Sequence, residues 1–386
     1  MTPSSSAAHC HALGVDGVGA GAASARNCSR AATIAAASDS EAPSETISIR
    51  GLRGLRLPLA PIANLTLTSG EMPEVPVIDC DAVLAAVSPA EAIERTREAF
   101  ERHAAGEWTM PPKVYVEAPP AGDFRAMPAR GGRLAILKWV TSFPRNPERG
   151  LPVVAGALLV SSAETGELLA ILDCASVTSL RTGAGAAVSA QALARDEARR
   201  VGIVGCSVNG AWAARCLAAA GYGPGVCADL RSEAAEALAD ELGWHAGERG
   251  EAVAQDVVVT VTPGDEPVVG ASDLRPGQHL AVLGADAHGK AEVERRALER
   301  CVLFCDDWEQ ASAGGELSGA VAAGAVSRED VTPIGEVLSG RAPGRRSVEE
   351  VTLFDSTGLA IQDLAVAATV LEAWRDGRID APVVSL

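Results

Sequence analysis

Lysine is nearly missing from this chain. Of 33 basic residues among 386, only Lys113, Lys138 and Lys290 are lysines, which leaves 30 arginines (33 − 3). Each of the three sits in a motif punctuated by glycine or proline rather than on a solvated helix face. A desolvated lysine can give up its proton and an arginine cannot, so these positions are the first candidates for chemistry that needs a titratable or compact ammonium.

Other absences bound the class. No apolar stretch reaches the roughly 18 to 20 residues a spanning helix needs; the best run, residues 151–160, carries a proline and a glycine. A soluble protein is expected. The nine cysteines include no CxxC pair and no His spacing suited to zinc. Cys301 and Cys305 flank an apolar run and read as core thiols in a reducing, cytoplasmic setting. With 50 acidic side chains the formal charge is −17, which repels a phosphate backbone, so no nucleic-acid partner is expected.

Residues 1–71 are dominated by Ser, Ala and Gly and lack aromatic residues. Such a segment cannot bury enough apolar area to offset its ordering entropy, and a disordered extension is expected. From Met72 the pattern becomes regular. Ser88-Pro89-Ala90-Glu91 is a helix start, and strand-like runs follow at 113–116, 134–140, 153–161 and 168–172. The stretch 178–194 reads as a helix with Arg181 and Thr182 in its first turn. After Arg200 short apolar strands alternate with helices, including a helix over 292–300, which predicts a doubly wound parallel sheet. The fold class is therefore α/β: a Rossmann-type domain over 196–330, plus a second, α+β domain over 72–195 with 331–386. A strand at 351–354 and a helix at 359–374 are expected to pack back on the latter.

Three motifs carry candidate chemistry. Gly202-Ile203-Val204-Gly205-Cys206-Ser207-Val208-Asn209-Gly210 runs from a strand through a Gly-rich turn into a helix, whose backbone N–H groups can receive a pyrophosphate. Its second usual glycine is Ser207. Asp229 lies 24 positions on (229 − 205), near the spacing of the acid that accepts ribose hydroxyls. Asp229 favours NAD(H), whereas Arg231 could hold a 2′-phosphate, so NAD and NADP both stay open. Asp286, in Gly284-Ala285-Asp286-Ala287-His288-Gly289-Lys290, follows a strand at the crevice where doubly wound sheets bind ligands. It is a candidate general base, set against an aspartate that merely caps a helix; His288 reads as a loop residue. Lys138 lies inside an apolar strand, where an ammonium is costly unless it is paired or faces a cleft. Arg181 could fork onto a substrate carboxylate, or form a salt bridge with Asp173 or Asp196.

Residues 137–152, 173–187, 202–210, 284–290 and 352–365 (TLFDSTGLAIQDLA) together resemble the ornithine cyclodeaminase/mu-crystallin family, nearly continuously from Met72 to Trp374. The resemblance implies a homodimer that binds NAD(H) or NADP(H) and acts on a small amino acid or its imine. It further implies that the domain over 72–195 with 331–386 binds substrate and forms the dimer, that Lys138 and Arg181 bind substrate, that Asp286 is the catalytic acid/base with Lys138 assisting, and that Thr182, Asp229, Lys290 and Ser356 contact the cofactor; Thr262 is a further candidate cofactor contact. Two positions depart from the ornithine cyclodeaminases. Lys113 stands where they have an arginine for the substrate carboxylate, and Arg125 where they have a glutamate that can hold the distal ammonium of ornithine. An alanine dehydrogenase or ketimine reductase activity is therefore expected, with ornithine cyclodeaminase and a crystallin-type binding protein as alternatives.

Overall fold

The computed structural model describes residues 74–386 except 264, 265 and 288. The expectations for residues 1–71 and for His288 lie outside the described residues. Two sheets organise the chain. The first has β1 (Glu74–Ile78), β2 (Val114–Ala118), β3 (Gly122–Gly131), β4 (Leu134–Ser142), β5 (Val154–Ser162), β6 (Leu168–Asp173) and a C-terminal β15 (Val383–Ser385), in the order β15-β1-β6-β5-β4-β3-β2. The second has β7 (Val201–Val204), β8 (Gly225–Ala228), β9 (His245–Ala246), β10 (Val257–Thr260), β11 (His279–Val282), β12 (Val302–Cys305), β13 (Val331–Pro333) and β14 (Thr352–Asp355), in the order β13-β12-β14-β11-β10-β7-β8-β9.

The first sheet alternates as one-sided strands must. On β4, Ile136, Lys138 and Val140 are buried while Leu137 and Trp139 are exposed. The buried side is covered by the helices Cys174–Leu193 and Ala360–Arg375, both buried along nearly their whole length. The second sheet is parallel throughout. Its central strands are continuous buried runs such as VGIV, VVVT and TLFD, as a sheet covered on both faces requires.

Four expectations need correction. Val331–Pro333 and Thr352–Asp355 belong to the second sheet, not to the first domain. A run of four buried residues needs both faces covered and both edges paired, and β14 gets this between β11 and β12, with Leu353 opposite Leu280 and Leu303. The helix after it, Ala360–Arg375, does pack on the first sheet, against β3 and β4, and β15 joins that sheet beside β1. Arg181 and Thr182 are not in a first turn, because the helix starts at Cys174, where the Asp173 carboxylate accepts from the Ser176 N–H at 2.7 Å. The helix expected over 292–300 shrinks to Arg295–Leu298, since Glu292 turns fully inward to accept bonds from Thr260, Thr262 and Gly284. Strand β3 is not expected from the sequence, because Pro128 and three charged residues, Asp123, Arg125 and Arg130, hide its period.

Among the described residues no helix is long and apolar enough to cross a membrane. The helix Cys174–Leu193 crosses the helix Val208–Ala219 closely at Gly183, where a Cβ would press on the Trp212 carbonyl. Gly183→Leu is therefore expected to cost about 1–3 kcal/mol by overpacking, although Leu is the better helix former. A thermal melt checks it; an unchanged melting temperature would show that the crossing can open.

Candidate active site

The two sheets meet where β14 runs through Ser356-Thr357-Gly358 into the helix Ala360–Arg375. A cavity of about 90 Å³ lies there, lined among others by Lys113, Arg125, Lys138, Arg181, Asp286 and Thr357. Its floor is an ion triad. Lys138 points off the buried face of β4 with 1% exposure, and its Nζ stands 2.7 Å from Oδ2 of Asp363, itself fully buried in the first turn of its helix. The Arg181 Nε donates to Oδ1 of the same carboxylate at 3.2 Å, and Lys138 also donates to the Thr178 hydroxyl at 3.4 Å. Burial lowers the Lys138 ammonium below the ordinary lysine range, with Asp363 opposing that and Arg181 adding to it. Gly358, at φ +77°, lets the chain pass the Arg181 guanidinium, against which a Cβ would stand at 2.5 Å.

The roof is a second charge cluster. Arg125, 7% exposed on the buried face of β3, forks onto Asp123 at 2.6 and 3.2 Å and gives Nη1 to Oδ2 of Asp286 at 2.7 Å. Lys290 donates to the other oxygen of Asp286, also at 2.7 Å. Burial raises the Asp286 carboxyl, but Arg125, Lys290 and Lys113 outweigh it and hold the group well below the usual carboxylate range. Tyr115 lies beneath the Arg125 guanidinium, 5.4 Å from ring centroid to Cζ. Between floor and roof, Lys113 donates to the Thr357 carbonyl at 2.6 Å. Desolvation brings its ammonium down to about 8, despite the nearby carboxylates of Asp286 and Asp306.

The nucleotide side has the features a dinucleotide requires. Gly205 adopts φ +99°, and a Cβ at Gly210 would collide with the Gly205 carbonyl. Ser207 precedes the twelve-residue helix Val208–Ala219 without a side-chain cap bond, so the first-turn amides are not taken by that hydroxyl. Val208 is largely exposed, and Asn209 faces the cavity. The Asp229 carboxylate ends β8, held by the N–H groups of Cys206 at 2.7 Å and Arg231 at 2.9 Å.

The structure thus brings Lys113, Arg125, Lys138, Arg181, Thr182, Asn209, Asp286 and Ser356 to one cavity. It places others differently. Arg181 pairs with Asp363, not with Asp173 or Asp196. Lys290 sits on Asp286, and Asp286 caps no helix. The Thr262 amide and hydroxyl both serve Glu292, and the Arg231 side chain is 69% exposed. Asp363, Asp306 and Thr357 escaped the sequence reading. The cost argument that singled out Lys138 applies equally to Asp363 inside Ala360-Ile361-Gln362-Asp363-Leu364-Ala365, and Asp306 follows β12 just as Asp286 follows β11.

The profile of the ornithine cyclodeaminase/mu-crystallin family matches residues 75–378. An alanine dehydrogenase of Archaeoglobus fulgidus is 42% identical over 306 residues, 78% of this chain and 95% of that protein. A solved archaeal alanine dehydrogenase dimer with bound NAD superposes with a TM-score of 0.77 at 40% identity, over 81% of this chain and 99% of the other. The iminosuccinate reductase of Paracoccus denitrificans in complex with NAD⁺ gives 0.75 at 26% identity, over 81% and 100%. The chain belongs to the ornithine cyclodeaminase/mu-crystallin family.

Proposed function

We propose that this protein is an NAD(H)-dependent oxidoreductase of small α-amino acids, with alanine or a similarly uncharged amino acid as substrate. The observation that carries the reading is Arg125 in the roof, locked on Asp123 and Asp286. It occupies the place where a distal ammonium would need a carboxylate, and an unpaired buried ammonium costs several kcal/mol. The cavity volume also suits a short side chain. Asp229, at the end of β8, suits ribose hydroxyls and would repel a 2′-phosphate, which favours NAD(H) over NADP(H).

Bound along the Gly-rich turn, the nicotinamide dinucleotide supplies the hydride acceptor for oxidation of the amine to an imine. The chain's own residues do the rest. Lys113 and Arg181 receive the substrate carboxylate, and Lys138, anchored by Asp363, sets the positive floor beside it. Asp286 takes the proton of the amine and releases it to solvent, then takes one from the water that attacks the imine and returns it to the departing nitrogen, as general acid–base catalysis requires. Held by Arg125, Lys290 and Lys113, its carboxyl is too acidic for that task. An incoming carboxylate that draws Arg125 or Lys113 toward itself weakens the clamp and raises the basicity of Asp286.

A second copy of the chain is the proposed partner. The outer face of the first sheet exposes Val114, Val116, Leu137 and Trp139, and Phe124 stacks on Trp139 with centroids 5.7 Å apart. Contiguous apolar faces of this kind mark protein interfaces. Sedimentation should give a dimer for the wild type and a monomer for Trp139→Asp; a wild-type monomer removes the proposal.

Three experiments test the activity. With NAD⁺ and a panel of amino acids, reduced cofactor should accumulate in step with ammonia for alanine. Ammonia without net reduction, with ornithine preferred and proline formed, would make the protein a cyclodeaminase; neither product would make it a binding protein. In the same assay Asp286→Asn should lose about two or more decades of turnover with its melting temperature little changed, and near-normal turnover would remove Asp286 from the mechanism. The third is pH. Lys113 is charged below about pH 8 and neutral above it, so a carboxylate ligand should bind progressively more weakly as pH rises through 8. Pyruvate, which has no group titrating in that range, is the suitable probe; inhibition constants flat from pH 7 to 9.5 would take Lys113 out of carboxylate binding.

A further inference from the structure

Asp306 lies just past β12, 3% exposed. Among the described residues no cation is bonded to it. Its carboxylate is instead spent on backbone and hydroxyl donors: the Thr357 hydroxyl at 3.1 and 3.3 Å, the Gly358 N–H at 2.8 Å and the N–H of its neighbour Asp307 at 2.8 Å. Two of these donors belong to the loop that joins the sheets. That loop carries the carbonyl on which the Lys113 ammonium rests and the glycine that abuts the Arg181 guanidinium. We infer that Asp306 is a positioning residue for carboxylate binding: by fixing Thr357 and Gly358 it sets where the Lys113 ammonium stands, and it places a buried negative charge near it.

Four charged groups from four elements act on Lys113: Asp286 after β11, Asp306 after β12, Arg125 on β3 and Arg181 on the helix Cys174–Leu193. The two carboxylates raise the Lys113 pKa and the two guanidinium groups lower it. Asp286 is already committed to Arg125 and Lys290, whereas no ion pair of Asp306 is found among the described residues. Burial raises the Asp306 carboxyl to about 6, so it is still ionised where Lys113 titrates. An asparagine here would present an NH₂ group to N–H donors on one side, so Asp306→Asn removes both the charge and part of the anchorage.

The inference rests on Lys113 as the receptor of the carboxylate, and its test needs no turnover. The full chain holds three lysines, so protein labelled with 13Cε-lysine gives three signals, with Lys113 assigned from Lys113→Arg. In the wild type Lys113 should titrate near 8. In Asp306→Asn its midpoint should fall by about one pH unit, while the Lys290 signal stays unmoved, and pyruvate should bind about tenfold more weakly at pH 8. A folded Asp306→Asn protein whose Lys113 midpoint lies within about 0.2 of the wild type overturns the inference. If the midpoint falls but Lys113→Met leaves pyruvate binding intact, the positioning survives and the assignment of Lys113 in the proposed function fails. Should Asp306→Asn not fold, Thr357→Val removes only the hydroxyl bond. It should shift the Lys113 signal and weaken pyruvate about threefold, and no change in either overturns the inference.

Discussion

The Asp363 carboxylate is the charge on which the site depends. It lies with no exposure between a lysine from the first sheet and an arginine from a helix over that sheet. Bringing two cations so close beneath a small cavity is possible only because this carboxylate separates them; removing one member of such a buried group costs about 3–5 kcal/mol, since the others are left uncompensated. Its place in the first turn of the helix Ala360–Arg375 adds the favourable field of a helix N-terminus. That helix follows the central strand β14 of the parallel sheet after four residues. One side chain therefore ties the position of the second sheet to the charged face of the first.

This connection explains why the loop of Ser356-Thr357-Gly358 is so constrained. It leaves a strand that must stay buried and enters a helix whose first turn must deliver Asp363 to Lys138. Gly358 supplies the backbone angle and the clearance for Arg181, and Asp306 takes up the amide and hydroxyl that the bend would leave unbonded. Buried polar groups in such a bend need partners. The partners present here also define the wall of the cavity, so local satisfaction of the backbone and construction of the site are the same set of bonds.

Much of this was legible from residue spacing, and the misses have physical causes. The strand-helix alternation after Arg200 and the Gly-rich turn were readable because buried parallel strands are continuous apolar runs. Thr352–Asp355 was readable as a strand but not as a central one, since pairing partners in a parallel sheet are far apart in sequence. Arg125 and Asp286 were identified singly. Their bond across 161 positions depends on β3 and the crossover after β11 converging, which no local pattern encodes. Asp363 was hidden for the opposite reason: its helix is so uniformly apolar that periodicity carries no directional signal, and only the cost of a buried carboxylate points to it.

The scarcity of lysine acquires a geometric meaning in the fold. Lys113 meets the Thr357 carbonyl, Lys138 the Asp363 carboxylate and Lys290 the Asp286 carboxylate, so all three lysines of the chain converge on one cavity and its walls. Arginine serves at the same site where the partner is a fork or the reach is long, as Arg125 does by bridging Asp123 and Asp286. At Lys113 the ammonium meets one carbonyl oxygen and at the buried Lys138 one carboxylate oxygen and a hydroxyl, where a planar guanidinium would present more donors than there are oxygens to receive them. A compact ammonium fits there. It also keeps a property that arginine lacks, since burial can bring its proton within reach of ordinary pH, as it does at Lys113. Positive charge that is fixed at Arg125 and Arg181 is thus adjustable at Lys113, the position that stands between them.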